Sequence, residues 1–428
     1  MPSLVEKHDG PLRPILTLLT SNMLGTAVGG AFFIIASQKF DLQEMGLYAV
    51  AISVQWILAG LLGTGLSIAT IRLASDHLGR GERGAAAGVV AAAVGTAGVI
   101  SLMTAGLCYG LAALFPEAAF LPARLLGLAA LWAGSRSVLD CLRSGLLAQK
   151  NFTRAAVLMV VSGVTGLAAL GLMLVSGPFT LSRLLTAHAA GLSSAAAVGI
   201  VLLQPLWRSG LTLPAGRYRA FLRYSGWPAL SEGTRLLQAN LGPLVLVALA
   251  GSAQAGLFGL GRYPAMFFEV IAISLYQYWL PTAVQQQGTD GLVRFLGSQM
   301  RLAALVGFGM VVLAVIGRPV IPLLGENFAA AAHLFVLNTL DFALFVLIRP
   351  IETAFHGLYK PWLELLPRLA RLVLLLGVAF VLAPRFGAIG MVWAQVFSGL
   401  AGLLIAFGLL WRTLDPASRR QIARSFVR

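Results

Sequence analysis

Long apolar windows, separated by short polar or Gly/Pro-bearing breaks, follow one another along the whole chain. They fall at approximately 14–37, 46–71, 85–115, 123–147, 155–176, 181–206, 221–249, 256–283, 296–317, 329–353, 363–383 and 387–411. Each is close to or above the roughly 20 apolar residues that a helix needs to cross a bilayer. The pattern predicts an all-α polytopic membrane protein of twelve transmembrane helices. It also repeats. Gly46-Leu47-Tyr48-Ala49 opens one window and Gly256-Leu257-Phe258-Gly259 opens another, an offset of 210 positions. The same offset aligns Ala148-Gln149-Lys150-Asn151 with Leu358-Tyr359-Lys360-Pro361, and Leu114 through Ala118 with Leu324 through Phe328. Two copies of one unit in a membrane chain predict two pseudo-symmetric six-helix lobes around a central cavity, the layout of a transporter. The expected boundaries are 1–206 for the first lobe, 207–220 for a cytoplasmic linker carrying Gly210, Pro214 and Gly216, 221–411 for the second lobe, and 412–428 for a basic tail. The first window follows Lys7 and Arg13 but is too long for a cleaved signal peptide, so it is expected to stay attached.

Composition agrees with a bilayer. The 428 residues are 58% hydrophobic and 11% charged, against about 25% charged in soluble domains. The net charge of +15 raises the question of a nucleic-acid partner, which the distribution of the charges answers. With a cytoplasmic amino terminus, Arg72, Arg80, Arg83, Lys150, Arg154, Arg208, Arg217, Arg219, Arg223, Arg294, Lys360 and the tail arginines fall in or beside inward loops. The outward connections hold only Lys39, Arg124, Arg318 and Arg385. This asymmetry predicts a multi-pass protein of the cytoplasmic (inner) membrane with both termini inside, and no nucleic-acid role. Cys108 and Cys141 both sit in apolar windows and suggest neither a disulfide nor a metal site.

Chemistry is expected where ionisable residues interrupt the windows, because each costs about 2.5–3.5 kcal/mol at a helix centre. Arg136, Asp140 and Arg143 share a face of the fourth window by their spacing, as do Glu232 and Arg235 in the seventh and Arg262 and Glu269 in the eighth. The tenth carries Asp341, Arg349 and Glu352. Guanidinium groups in a wet cavity suit a phosphate-bearing headgroup, which they hold by bidentate hydrogen bonds. Arg262, Arg136, Arg143, Arg349 and Arg235 are therefore the expected pyrophosphate contacts. Asp140, Glu232, Glu269, Asp341 and Glu352 are expected to orient those arginines or carry a coupling ion, H+ or Na+. The competing reading makes the same residues structural ion pairs. Arg183, Arg368 and Arg371 are expected to snorkel toward headgroups, and His188 and His333 to be packing residues.

Enzyme chemistry finds no support. None of the four Lys residues follows the glycine that a phosphate-binding P-loop requires, and H-E-x-x-H and G-x-S-x-G are missing. No cofactor is expected.

The stretch from Leu16 to Ala74, with Lys39-Phe40-Asp41-Leu42-Gln43-Glu44-Met45-Gly46-Leu47-Tyr48-Ala49 inside it, resembles the opening of bacterial polysaccharide or O-antigen flippases. These belong to the multidrug, oligosaccharidyl-lipid and polysaccharide exporter superfamily. Ala255-Gly256-Leu257-Phe258 and Gln149-Lys150-Asn151-Phe152 also resemble it. The resemblance implies a two-lobed monomer that moves an undecaprenyl-pyrophosphate-linked oligosaccharide to the outer face by alternating access, coupled to an ion gradient. Other polysaccharide assembly proteins would be its partners. Arg262 is similar in placement to cavity arginines of the related lipid II flippases, whereas Ser21-Asn22 stands where those relatives hold charge. By the count of windows the chain is also expected to lack their two extra helices.

Two other classes compete with this reading. One is a small-molecule antiporter, of the multidrug branch or of the facilitator class, whose loop motif Asp76-His77-Leu78-Gly79-Arg80 matches in part. A cavity for cationic drugs should be dominated by carboxylates, while the set here is rich in Arg. The other is a membrane polymerase or ligase, which short outward loops disfavour.

Overall fold

A computed structural model describes residues 12–115, 121–211, 215–285, 288–358, 360–414 and 416. Parts of the linker and tail, 212–214 and 417–428, lie outside the described residues. Among those described, the chain is helical with no strand. In chain order the helices are α1 (Leu12–Lys39), α2 (Leu42–Ala59), a π-helical turn (Gly60–Thr64) and α3 (Gly65–Gly79). They continue with α4 (Arg83–Leu114), α5 (Ala123–Ala148), α6 (Phe152–Val175), α7 (Leu181–Leu202) and the short α8 (Gln204–Trp207). Then follow α9 (Ala215–Ala250), α10 (Ser252–Gln285), α11 (Gly288–Gly317), α12 (Glu326–Gly357) and α13 (Leu365–Thr413). Ten of the described helical stretches are long and apolar enough to cross a membrane.

Polar residues in the breaks set where the helices start. Asp41 and Glu44 form a capping box at the head of α2: the Glu44 amide donates to Asp41 Oδ1 at 2.8 Å, and the Asp41 amide donates to Glu44 Oε2 at 3.4 Å. Asn151 caps α6 by accepting from the Arg154 amide, and Thr180 caps α7 by accepting from the Arg183 amide. Lys150, just before the Asn151 cap, has a φ of 57°. The windows at 363–383 and 387–411 merge into α13, whose 49 residues would run about 74 Å if straight. Gly387 breaks it. At φ 56° and ψ −133° this residue leaves the helical region, and a Cβ on it would collide with the Gln254 side chain. Gln254 Oε1 accepts from the Ala388 amide at 2.9 Å, which satisfies a donor at the restart of the helix. Gly387→Ala is expected to lower stability by about 1–3 kcal/mol, read as a drop in thermal midpoint in detergent.

The chain divides into two compact units. Unit 1 comprises Met1–Gly29, Leu58–Cys108 and Gly127–Ala229; unit 2 comprises Gly30–Ile57, Tyr109–Leu126 and Leu230–Arg428. Unit 1 packs through small residues. A Cβ on Gly63 would lie 2.8 Å from the Ser137 side chain, one on Gly134 2.5 Å from that of Ser101, and one on Gly191 2.7 Å from the Ser162 carbonyl oxygen. Such contacts bring helix backbones together where lipid gives no hydrophobic drive for association. Unit 2 has an apolar core with Leu246, Phe258, Leu334, Leu375, Met391 and Val392 buried in it. Large apolar side chains such as Leu102, Met103, Val175, Leu305, Phe308 and Val373 lie on the outside, as a hydrocarbon solvent allows.

Unit 2 also contains both copies of the repeated Gly-Leu-aromatic pattern, one on α2 and one on α10. They touch reciprocally. A Cβ on Gly46 would strike the Ser252 carbonyl oxygen, and a Cβ on Gly256 would strike that of Leu42. Residues 42 and 252 are themselves separated by the repeat offset, so the two copies meet across a local two-fold crossing. Around this crossing Met45, Tyr48, Ala49, Ala255 and Phe258 are buried. Phe33 packs against Tyr48 and Tyr263, and Asn327 donates to the Ser37 and Phe40 carbonyls at 2.9 and 3.3 Å.

Candidate functional site

Charged side chains gather inside unit 2, on α9, α10, α12 and α13. Three linked groups can be followed. On α9, Glu232 Oε1 accepts from Arg235 Nε at 2.7 Å, and Arg235 Nη1 reaches Glu269 of α10 at 3.3 Å. On α12, Arg349 Nη1 donates to Glu352 Oε2 at 2.7 Å, and the other Glu352 oxygen accepts from Arg368 Nε of α13 at 3.1 Å. Arg368 also meets Glu364 at 3.1 Å, and its Nη1 donates to Ser231 Oγ at 2.8 Å. Finally, Asp341 Oδ1 accepts from Arg371 Nη2 at 2.6 Å, while Oδ2 lies 3.8 Å from Arg262 Nη1. Arg262 Nη1 also donates to Gln395 Oε1 at 3.3 Å.

The local backbone explains part of this grouping. Pro350 sits inside α12 between Arg349 and Glu352 and cannot donate to the preceding turn, while Thr353 Oγ1 donates to the Arg349 and Pro350 carbonyls. Gln238 donates its side-chain amide to the Arg368 carbonyl, tying α9 to the start of α13. The aromatic residues hold the guanidinium planes. Arg349 lies 4.0 Å from the Phe345 ring centroid and 4.5 Å from that of Tyr276, and Arg262 lies 5.0 Å from that of Phe342.

A narrow cleft opens among these groups. Its polar lining comprises Arg235, Gln238, Arg262, Glu269, Asp341, Glu352, Arg368 and Arg371, and its apolar lining Ala239, Phe342, Phe345, Ile348 and Pro367. Guanidinium donors beside an apolar wall can hold an anion on one side and a hydrophobic or ring surface on the other.

Of the residues singled out from sequence, Arg235, Arg262, Glu269, Asp341 and Glu352 line this cleft. Glu232 pairs with Arg235 beside it, and Arg349 stands behind Glu352 between the two aromatic rings. Arg136, Asp140 and Arg143 form a separate group on α5 in unit 1, with Arg136 Nε donating to Asp140 Oδ2 at 2.9 Å. The expected snorkelling of Arg368 and Arg371 is overturned: Arg368 is 6% exposed, and both line the cleft with carboxylate partners. The overlooked signal was spacing. Arg368 lies four residues after Glu364, which makes them partners on one helix face, as the structure finds them. Arg183, the third residue in that expectation, donates to the Met173 and Pro178 carbonyls and so ties the α6–α7 hairpin. His188 stacks on Trp132 at 4.3 Å, in keeping with a packing role.

No protein-family model and no curated protein matches the sequence. Solved structures do match the fold. An inward closed form of the lipid II flippase MurJ aligns with a TM-score of 0.72 at 14% identity, covering 97% of this chain and 91% of that one. An inward-facing multidrug resistance MATE family transporter of the MOP superfamily gives 0.68 at 14% identity, with 92% and 94% covered. A MOP superfamily transporter from Pyrococcus furiosus, described by the reverse polarity of its binding pocket, gives 0.65 at 15%, with 93% and 95% covered. The fold of this chain is that of MOP superfamily transporters. These neighbours are transporters and flippases, not enzymes, and the chain is a multi-pass membrane protein.

Proposed function

We propose that the protein is a flippase of the bacterial cytoplasmic membrane that moves an undecaprenyl-pyrophosphate-linked oligosaccharide from the inner to the outer leaflet by alternating access. It would serve surface or exopolysaccharide synthesis. The reading rests on one observation above all: a cleft lined by four arginines, buried in an otherwise apolar helical unit. Charges at this depth are retained where they bind something or pair, and arginine is the side chain best matched to phosphate oxygens. In this reading Arg262 holds the pyrophosphate in the cleft with Arg235 beside it, and Arg136 and Arg143 are proposed anion contacts of their own group on α5. Arg349 acts through Glu352. Asp140, Glu232, Glu269 and Asp341 orient the guanidinium groups or carry H+ or Na+.

The proposal includes twelve spans, counting α1 and taking the two arms of α13 separately. It places the lobes at 1–206 and 221–411, the linker at 207–220 and the tail at 412–428, with both termini cytoplasmic and the protein acting as a monomer. The MOP fold supports a second reading, an ion-coupled small-molecule antiporter. The pairing of two carboxylates, Glu232 and Glu269, around the single Arg235 favours it for a cationic cargo. Reconstituted proteoliposomes separate the two readings. Flipping of a fluorescent polyprenyl-pyrophosphate oligosaccharide is expected in the wild type and is expected to be abolished in Arg262→Ala at equal protein level. Full flipping by that variant, or drug transport without any lipid flipping, would remove the flippase reading.

A further inference from the structure

The cleft shares its charges unevenly. Arg235 lies between two carboxylates, whereas the Asp341 carboxylate lies between two guanidinium groups, those of Arg262 and Arg371. By formal charge the first group carries one negative and the second one positive. The second group also has spare donors. A guanidinium offers five N–H donors, and a carboxylate accepts at about four positions, so one carboxylate cannot satisfy two guanidinium groups. The mismatch is visible in the atoms. Arg371 Nε is buried with no hydrogen-bond partner, and Asp341 Oδ2 approaches Arg262 no closer than 3.8 Å. All three side chains line the cleft. Behind them Gly399 leaves the carboxylate its room: a Cβ there would lie 3.2 Å from Asp341 Oδ1 and 3.7 Å from Arg371 Nη2.

We infer that Asp341 is an internal stand-in for a substrate phosphate, and that Arg262 with Arg371 is the clamp it occupies. The inference rests on the reading of the cleft as an anion site and names its specificity device. An incoming anion must take both guanidinium groups from a carboxylate that remains tethered nearby. A single phosphate replaces one set of oxygens with a similar one and gains little. A pyrophosphate brings oxygens on two phosphorus atoms, reaches both guanidinium groups at once and fills the donors that Asp341 leaves unused. Asp341 thus sets an affinity threshold for any anion, which pyrophosphate passes at concentrations where a monophosphate does not. The competing carboxylate sets how tightly an anion must bind to enter, and the second phosphorus decides which anion meets that demand.

The test is calorimetric titration of the full-length protein in detergent with inorganic pyrophosphate and with inorganic phosphate. Asp341→Asn keeps the shape and removes the competing charge. It should tighten phosphate binding by about tenfold, the scale of one charge-assisted hydrogen bond, and pyrophosphate binding by at least as much, because the more highly charged anion is repelled more by the carboxylate that is removed. Arg371→Gln should abolish binding of both. Unchanged or weakened phosphate binding in Asp341→Asn would overturn the inference. Should that variant fail to fold, Asp341→Glu tests the same point in the opposite direction: its longer carboxylate closes on Arg262 as well as Arg371 and should weaken both anions, and tighter or unchanged binding would overturn the inference. Failure of the export reading is distinguishable. No flipping in proteoliposomes together with tightened phosphate binding in Asp341→Asn defeats export and leaves the stand-in, whereas intact flipping with flat anion affinities does the reverse.

Discussion

Gly46→Ala and Gly256→Ala are each expected to cost about 3 kcal/mol of stability, the upper end of the range for overpacking, and to lower the thermal midpoint in detergent accordingly. The reason is what the added methyl meets. At most packed positions a new methyl displaces the end of a flexible side chain. Here it meets backbone: at Gly46 the Ser252 carbonyl carbon would lie 2.6 Å from the new atom, and at Gly256 the Gly46 amide nitrogen would lie 3.0 Å away. Helix backbone cannot turn aside, so α2 and α10 must separate along their crossing, which loosens the buried Met45, Tyr48, Ala255 and Phe258 around it. The double variant provides the sharper measurement. Once the helices have moved apart for one methyl, the second is partly accommodated. The double variant should therefore cost less than the two singles together, by a coupling of about 0.5–3 kcal/mol. Strict additivity would mean that the two glycines do not share one crossing.

That crossing also marks how far the sequence could be read. The offset of 210 positions, found from short patterns, recurs in the coordinates: α2 starts at Leu42 and α10 at Ser252, and the positive-φ glycines Gly177 and Gly387 are separated by the same distance. Periodicity and repeat survive because a helix crossing a bilayer needs a long apolar run wherever it occurs, and because a close crossing needs glycine on both of its sides. What the two patterns did with each other was not legible. A one-dimensional repeat announces two similar sites but not that they are the two halves of one contact. The charged residues show the same limit. Spacing correctly paired Arg136 with Asp140, Glu232 with Arg235 and Arg349 with Glu352, all neighbours on one helix. It said nothing of Arg235 with Glu269, Arg368 with Glu352 or Arg371 with Asp341, which come from different helices and depend on tertiary packing. Arg368 and Arg371 looked peripheral because they stand near the start of an apolar window. In the fold that start turns inward, with the 3₁₀ turn Pro361–Glu364 placing the buried Glu364 one helical turn before Arg368.

The Glu352 carboxylate is the point where this network is most exposed to damage. It is 2% exposed, and each of its oxygens holds a different guanidinium, Arg349 on one side and Arg368 on the other. Glu352→Ala is expected to lower stability by about 3–5 kcal/mol, because removing one member of a buried ion group leaves its partner's charge unmatched in a low-dielectric setting. Arg349 suffers most: it is 4% exposed, its Nε already lacks a hydrogen-bond partner, and the Phe345 and Tyr276 rings offer only cation–π contact in exchange. Arg368 retains Glu364 and Ser231. The comparison that separates charge from packing is the double variant Arg349→Met with Glu352→Leu, which removes a cation and an anion together and fills their volume with apolar atoms. Buried ion pairs replaced in this way are often neutral or stabilising, so this variant should recover most of the thermal midpoint lost by Glu352→Ala alone. If it recovered stability and still moved lipid-linked substrate, the Arg349–Glu352 pair would be scaffolding for the cleft. Recovered stability with lost transport would make the pair part of the machinery that holds Arg368 toward the substrate.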